Sequence, residues 1–180
     1  MEKNQWTGLT ADKFKPYKNW ITSKSGLCGT NAASVFIAFY QDNLDETIVP
    51  SFIREKNSKN NTHLVHFLRL FIQKRGWPTI AFQLAHGLSS YFSYFDLSYR
   101  ARATMIGGWQ RVTKRIDQGK PVIIGLNKYL GSSYGNHWVV AYAYRKTDKG
   151  QRFVKIHDNW GNYQKIIPAK WINGTISLPY

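Results

Sequence analysis

The chain contains a single thiol, Cys28, and a thiolate is the most nucleophilic side chain available toward a carbonyl carbon near neutral pH. Two downstream residues supply what such a nucleophile needs. His137 offers an imidazole whose ordinary pKa of ~6.5 suits a general base, and Asp158 offers a carboxylate that can hold and charge-stabilise that imidazole. In this order the three residues describe nucleophile, base and orienter for acyl chemistry. Each has a plainer reading: a free cysteine is often a small buried hydrophobe, and His137 and Asp158 can be polar residues at strand ends. The combination carries the catalytic reading, because the three fall on separate elements that can meet across a cleft.

The elements that must position them can be read from local pattern. After Cys28, apolar residues at Ala32, Val35, Phe36 and Phe39 have the spacing of one buried helix face, so Cys28 starts a helix. Ser25 is expected to cap it and Gly26 to permit the turn into it. At that end, unpaired amides and the positive dipole favour a thiolate, predicting a thiol pKa below the usual ~8.5, and the same amides can hold an oxyanion. His137 to Tyr144 and Phe153 to Asp158 read as strands joined by Thr147-Asp148-Lys149-Gly150. Pairing Lys146 with Gln151 sets Val139 opposite Asp158, making Asp158 the diagonal neighbour of His137 on one face while Asn159 points away.

The remaining pattern divides the chain. Residues 1–24 form an irregular strap anchored by Trp6, Phe14, Tyr17 and Trp20, and the charged run Arg54 to Asn61 reads as an exposed loop. Thr62 caps a helix with Leu64, Phe67, Leu68, Phe71 and Ile72 inward, ended by Gly76 and Pro78. Tyr91-Phe92-Ser93-Tyr94-Phe95 reads as core packing, with a substrate-cleft wall as the alternative. A helix follows over Trp109 to Gln118. Pro121 to Leu126, Gln164 to Ile167 and Thr175 to Leu178 read as further strands, and Gly131 to Gly135 as a loop. The fold class is α+β, in one domain over residues 1–180, with a helical half to about residue 119 and a β half from about residue 120.

Composition limits the function. With 180 residues and 43% hydrophobic content, the chain can bury a core without cross-links. Lys and Arg number 25 against 10 acidic residues, and the net charge of +15 is spread along the chain, so it should attract polyanions. No zinc-ligand spacing, phosphate loop or nucleic-acid-binding signature accompanies that charge, so sequence-specific nucleic-acid recognition is not expected. His63 and His66 lack a third ligand nearby, so no metal site is expected, and nothing calls for a cofactor. No apolar run approaches the ~20 residues of a membrane span, and Met1 to Trp6 lacks the apolar core of a secretion signal.

Three blocks together, Gly26-Leu27-Cys28-Gly29-Thr30, Gly135-Asn136-His137-Trp138-Val139-Val140 and Asp158-Asn159-Trp160-Gly161, resemble the papain-like cysteine peptidase superfamily. They are most similar to its bacterial branch of bacteriocin-processing, double-glycine-cleaving peptidases. The resemblance implies a papain-like fold, a peptide or protein substrate, Cys28 as nucleophile, His137 as base and Asp158 as orienter. It also implies an extracellular or cell-surface location. Members usually carry a Gln five or six residues before the cysteine as oxyanion donor, where this chain has Ser23 and Thr22, so these two, with the more distant Asn19, are the candidate donors. Peptide or isopeptide hydrolysis is the leading activity. Transglutaminase-like acyl transfer is the runner-up from the same residues, and a non-catalytic basic wall-binding or adhesion module on a degenerate peptidase fold is the alternative from another class.

Overall fold

The computed structural model describes residues 5–73 and 79–179. Its helices are α1 (Cys28–Asn43), α2 (Thr62–Ile72), α3 (Ala81–Tyr94) and α4 (Gly108–Ile116). The strands are β1 (Thr7–Gly8), β2 (Arg102–Thr104), β3 (Val122–Leu126), β4 (His137–Lys146), β5 (Arg152–His157), β6 (Lys165–Pro168) and β7 (Ile172–Ser177). They form one antiparallel sheet in the order β2-β7-β3-β4-β5-β6, with β1 added to β4 beyond the end of β3. The α+β class read from the sequence is the class observed.

Strand alternation explains how helices cover both faces of this sheet. Ile123, Val140, Tyr142 and Ile176 pack into the core formed with α1, α2 and α3. Val122, Ile124, Val139, Ala141, Val154 and Ile156 turn to the other face and bury Val112 and Ile116 of α4. α1 is buried from Gly29 through Gln41, as a helix enclosed on every side must be. Its N-cap position is Leu27, without a side-chain cap, and Ser25 stays exposed, so the expected Ser25 cap does not form.

α3 is missing from the sequence reading, although Leu84, Ala85, Leu88, Tyr91 and Phe92 bury one helical face. Gly87 lies mid-helix where it weakens helix propensity, yet a Cβ there would come 2.7 Å from the Ile72 Cα, so glycine is what lets α2 and α3 approach. The expected stop of α2 at Gly76 and Pro78 lies outside the described residues. Tyr91 and Phe92 settle into the core, whereas Tyr94, Tyr99 and Arg100 line an open groove away from Cys28.

The hairpin corrects the predicted pairing at one end only. Lys146 faces Arg152, not Gln151, and a bulge between Ala141 and Ala143 shifts the register, so that Ala141 faces Ile156 and Val140 faces His157. Beyond the bulge the register is the predicted one, which keeps Asp158 next to His137.

The charged run is an exposed loop over most of Glu55 to Asn61, as expected, but its first residue departs from that reading. Arg54 is 3% exposed. Its guanidinium meets both Asp42 oxygens at 2.8 Å and the Ser58 carbonyl at 2.8 Å, and it lies over the Trp20 ring of the strap. Tyr17 donates to the same carboxylate at 2.7 Å. Burial alone would raise the Asp42 pKa, but the Arg54, Asn57 and Tyr17 hydrogen bonds outweigh it and hold it below the ordinary carboxylate value. A depressed folded-state pKa stabilises the fold above the unfolded value of ~3.9 and loses that contribution as pH falls through the folded value. Arg54→Ala should therefore lower stability by about 3 to 5 kcal/mol at neutral pH, with a smaller deficit on acidification below pH ~3.9. Thermal melts of both proteins across pH read this, and an equal deficit at all pH values would contradict it.

Candidate active site

Cys28 opens α1 and His137 opens β4, and both side chains line one cavity of about 240 Å³. Ile80, Ala81, Met105 and Leu126 give it an apolar wall, and Asn127, Asn136 and Asn173 also line it. The backbone amides of Trp138, Gly29 and Cys28 lie near enough to the Cys28 thiol to favour its charged form. Trp138 follows His137 on β4, so the strand that carries the imidazole also brings an N–H to the sulfur.

His137 is held by Asp158, but through the main chain. Its Nε2 lies 2.7 Å from the Asp158 carbonyl oxygen, which can only accept, so Nε2 carries the proton and Nδ1 has the free lone pair. The expected carboxylate contact is replaced. The Asp158 side chain turns to the loop beyond β5, accepting from Trp160 N at 2.8 Å, Asn162 N at 2.9 Å and the Tyr134 hydroxyl at 2.8 Å. As expected, Asn159 points away from His137. It adopts φ 61°, donates its side-chain amide to the Trp138 carbonyl at 2.9 Å and packs beside buried His157.

Two aromatic residues, neither counted among the candidate site residues read from the sequence, flank the imidazole. Tyr134 lies nearly parallel to it with ring centroids 5.7 Å apart, and Trp160 sits at 4.6 Å, half open to solvent. Both lie inside segments the sequence reading marked, the Gly131 to Gly135 loop and the Asp158-Asn159-Trp160-Gly161 block. Their proximity to His137 was therefore readable, but not their stacking.

The expected oxyanion donors are not brought to this cavity. Ser23 is exposed, Thr22 donates its backbone amide to the Asn159 carbonyl at 2.9 Å, and Asn19 lies in a separate groove with Lys15 and Lys18. His63 and His66 are exposed on α2, and no group of three or more His, Cys, Asp or Glu side chains among the described residues could hold a metal ion.

With this geometry in place, the comparison with protein families is decisive: residues 11–174 match the Peptidase_C39 like family. The chain belongs to that family. Membership in the Peptidase_C39 like family makes it a relative of the papain-like cysteine peptidases, consistent with the bacteriocin-processing resemblance, and indicates a peptide or protein substrate. A comparison with curated proteins returns no match. No helix among the described residues is long and apolar enough to cross a membrane.

Electrostatics in this Peptidase_C39 like site differ from the sequence expectation. Burial pushes the Cys28 thiol above its ordinary pKa, and the amides of Trp138, Gly29 and Cys28 only partly offset it. Burial also pushes His137 down, against the Asp158 carbonyl and the charge of its carboxylate, which pull it up. Both shifts favour a neutral thiol beside a neutral imidazole. Iodoacetamide alkylation of Cys28 should thus keep accelerating as pH rises past ~8.5, and a plateau reached below neutrality would instead reveal a preformed thiolate-imidazolium pair.

For the imidazole, NMR titration assigned by comparison with His137→Gln should place its midpoint below ~6.5. Asp158→Asn, which removes charge but keeps the backbone carbonyl, should move it lower still. An unchanged midpoint in Asp158→Asn would show that the carboxylate has no influence on the ring.

Proposed function

We propose that this chain is a thiol hydrolase that cleaves a peptide or isopeptide bond through an acyl-enzyme on Cys28, with His137 as base and Asp158 as its orienter. The observation that carries this reading is the shared cavity. A lone thiol at the start of a 16-residue helix and an imidazole with its tautomer set by a main-chain acceptor line the same small, largely apolar space.

The chemistry follows from the protonation states. With Nε2–H engaged by the Asp158 carbonyl, Nδ1 can take the Cys28 proton as Sγ forms a bond to the substrate carbonyl carbon. The carbonyl oxygen becomes an oxyanion, and the amides at the start of α1 face the developing charge. Collapse breaks the C–N bond as the imidazolium returns its proton to the leaving amine. Water then adds to the thioester, giving its proton to Nδ1, and the thiol is restored when the acid leaves. Burial raises the Cys28 pKa and lowers that of His137, which favours proton transfer accompanying attack over a preformed ion pair. The net charge of +15 supports an anionic surface or substrate flank as the partner outside this uncharged cavity wall.

Cys28→Ala and His137→Ala should each lower turnover of a mixed peptide library by at least ~10³-fold with the fold intact by circular dichroism. Mass analysis in the presence of glycinamide separates the two resolving nucleophiles: free acid products support hydrolysis, whereas glycinamide-capped products assign the acyl-transferase reading. Turnover near wild type in Cys28→Ala would overturn both.

A further inference from the structure

A residue far along the chain from Thr22 and Ser23 presents an unpaired hydroxyl beside the cavity. Thr79, which enters α3, is 8% exposed and lines the cavity with Cys28 and His137. Its Oγ1 is fully buried and has no hydrogen-bond partner among the described residues. A buried hydroxyl left without a partner forfeits its hydrogen bonding, and such a group in a native fold calls for an explanation such as a ligand.

The position of this hydroxyl indicates which ligand. A Cβ on Gly29 would lie 2.0 Å from Thr79 Oγ1, so the hydroxyl occupies the space directly over the first turn of α1 that glycine at 29 leaves open. The Gly29 and Cys28 amides lie near the thiol on that same turn. Thr79 is also fixed there, because its carbonyl accepts the Trp138 indole N–H at 3.0 Å while the Trp138 amide faces Cys28. Backbone amides, a helix N-terminus and an unspent O–H thus converge on one wall of the cavity.

We infer that the Thr79 hydroxyl, which unlike Ser23 and Thr22 belongs to a residue lining the cavity, donates to the oxyanion formed when Cys28 attacks a carbonyl. This rests on the thiol acyl-enzyme reading above. No proton leaves Thr79: its O–H, without an acceptor among the described residues at rest, turns to the carbonyl oxygen as negative charge develops there.

Two reagents that attack the same sulfur separate this role from a structural one. p-Nitrophenyl acetate acylates Cys28 through a tetrahedral oxyanion, whereas iodoacetamide alkylates it by direct displacement without one. Thr79→Val, which keeps shape and removes only the hydroxyl, should slow acylation by ~10- to 10²-fold. Alkylation should stay within ~2-fold of wild type, and the melting temperature should not fall, since no hydrogen bond is lost. Thr79→Ser should restore most of the acylation rate. Acylation of Thr79→Val at the wild-type rate overturns the assignment while leaving the nucleophile in place. A parallel loss in both reactions, or a failure of Thr79→Ser to restore acylation, also overturns it in favour of a packing role. Absence of any Cys28-dependent acylation in the wild-type protein instead overturns the acyl-enzyme reading, and this inference with it.

Discussion

The 2.7 Å bond from His137 Nε2 to the Asp158 carbonyl oxygen is the contact on which the site depends. Because the acceptor is a main-chain oxygen, the imidazole is aligned by backbone register and not by the rotamer of a side chain. That register is set by β4 and β5, and it is correct at the site only because the bulge between Ala141 and Ala143 takes up the residue by which the hairpin end is offset. Without the bulge, continuing the pairing of Lys146 with Arg152 would carry the carbonyl of a neighbouring residue to His137. The bulge also lets Tyr142 and Ala143 both contribute to the core under α1, which a strictly alternating strand could not do.

Freed from orienting the ring, the Asp158 carboxylate organises the next loop instead. It gathers the Trp160 and Asn162 amides and the Tyr134 hydroxyl, and so places an aromatic ring on either side of the imidazole. These rings add to the desolvation that lowers the His137 pKa, while the carboxylate partly restores it by charge. The site is thereby set for a neutral base. In such a cavity little ionic stabilisation exists before substrate arrives, so preorganised donors to the developing oxyanion carry a larger share of the acceleration.

Much of this was legible from local pattern, and the exceptions have separate physical causes. The Cys28 helix and the His137 strand follow from apolar periodicity, because each buries a recognisable face. α3 was overlooked although its periodicity is present; Gly87 reads as a breaker, and only the close approach of Ile72 gives it a reason. Arg54 looked solvated because charge usually is, and nothing local reveals that Asp42 and Tyr17, on distant segments, would surround it. The contact between a side chain and the Asp158 carbonyl could not be anticipated from residue types, since every residue has that group. Thr79 is harder still: its significance lies in a hydrogen bond it does not make, which only packing against Gly29 discloses.

Trp138 connects these parts. Its amide faces the Cys28 thiol, its indole is tied to the Thr79 carbonyl, and its own carbonyl accepts the Asn159 side chain. Asn159 in turn adjoins His157, which is fully buried and whose Nε2 donates to the Tyr17 carbonyl of the N-terminal strap at 2.7 Å. Its Nδ1 lies 3.0 Å from the Asn159 side-chain oxygen and 3.3 Å from the Asn159 backbone nitrogen, so both ring nitrogens of His157 are tied to polar partners. The strap also receives the Asn31 side chain from α1 at the Trp20 carbonyl. Residues that never touch the cavity therefore clamp both the helix bearing the nucleophile and the strand bearing the base against one segment. Sub-ångström placement of sulfur relative to imidazole strongly affects reactivity, so the strap, which reads in sequence as an irregular arm, belongs to the machinery that holds the two elements in register.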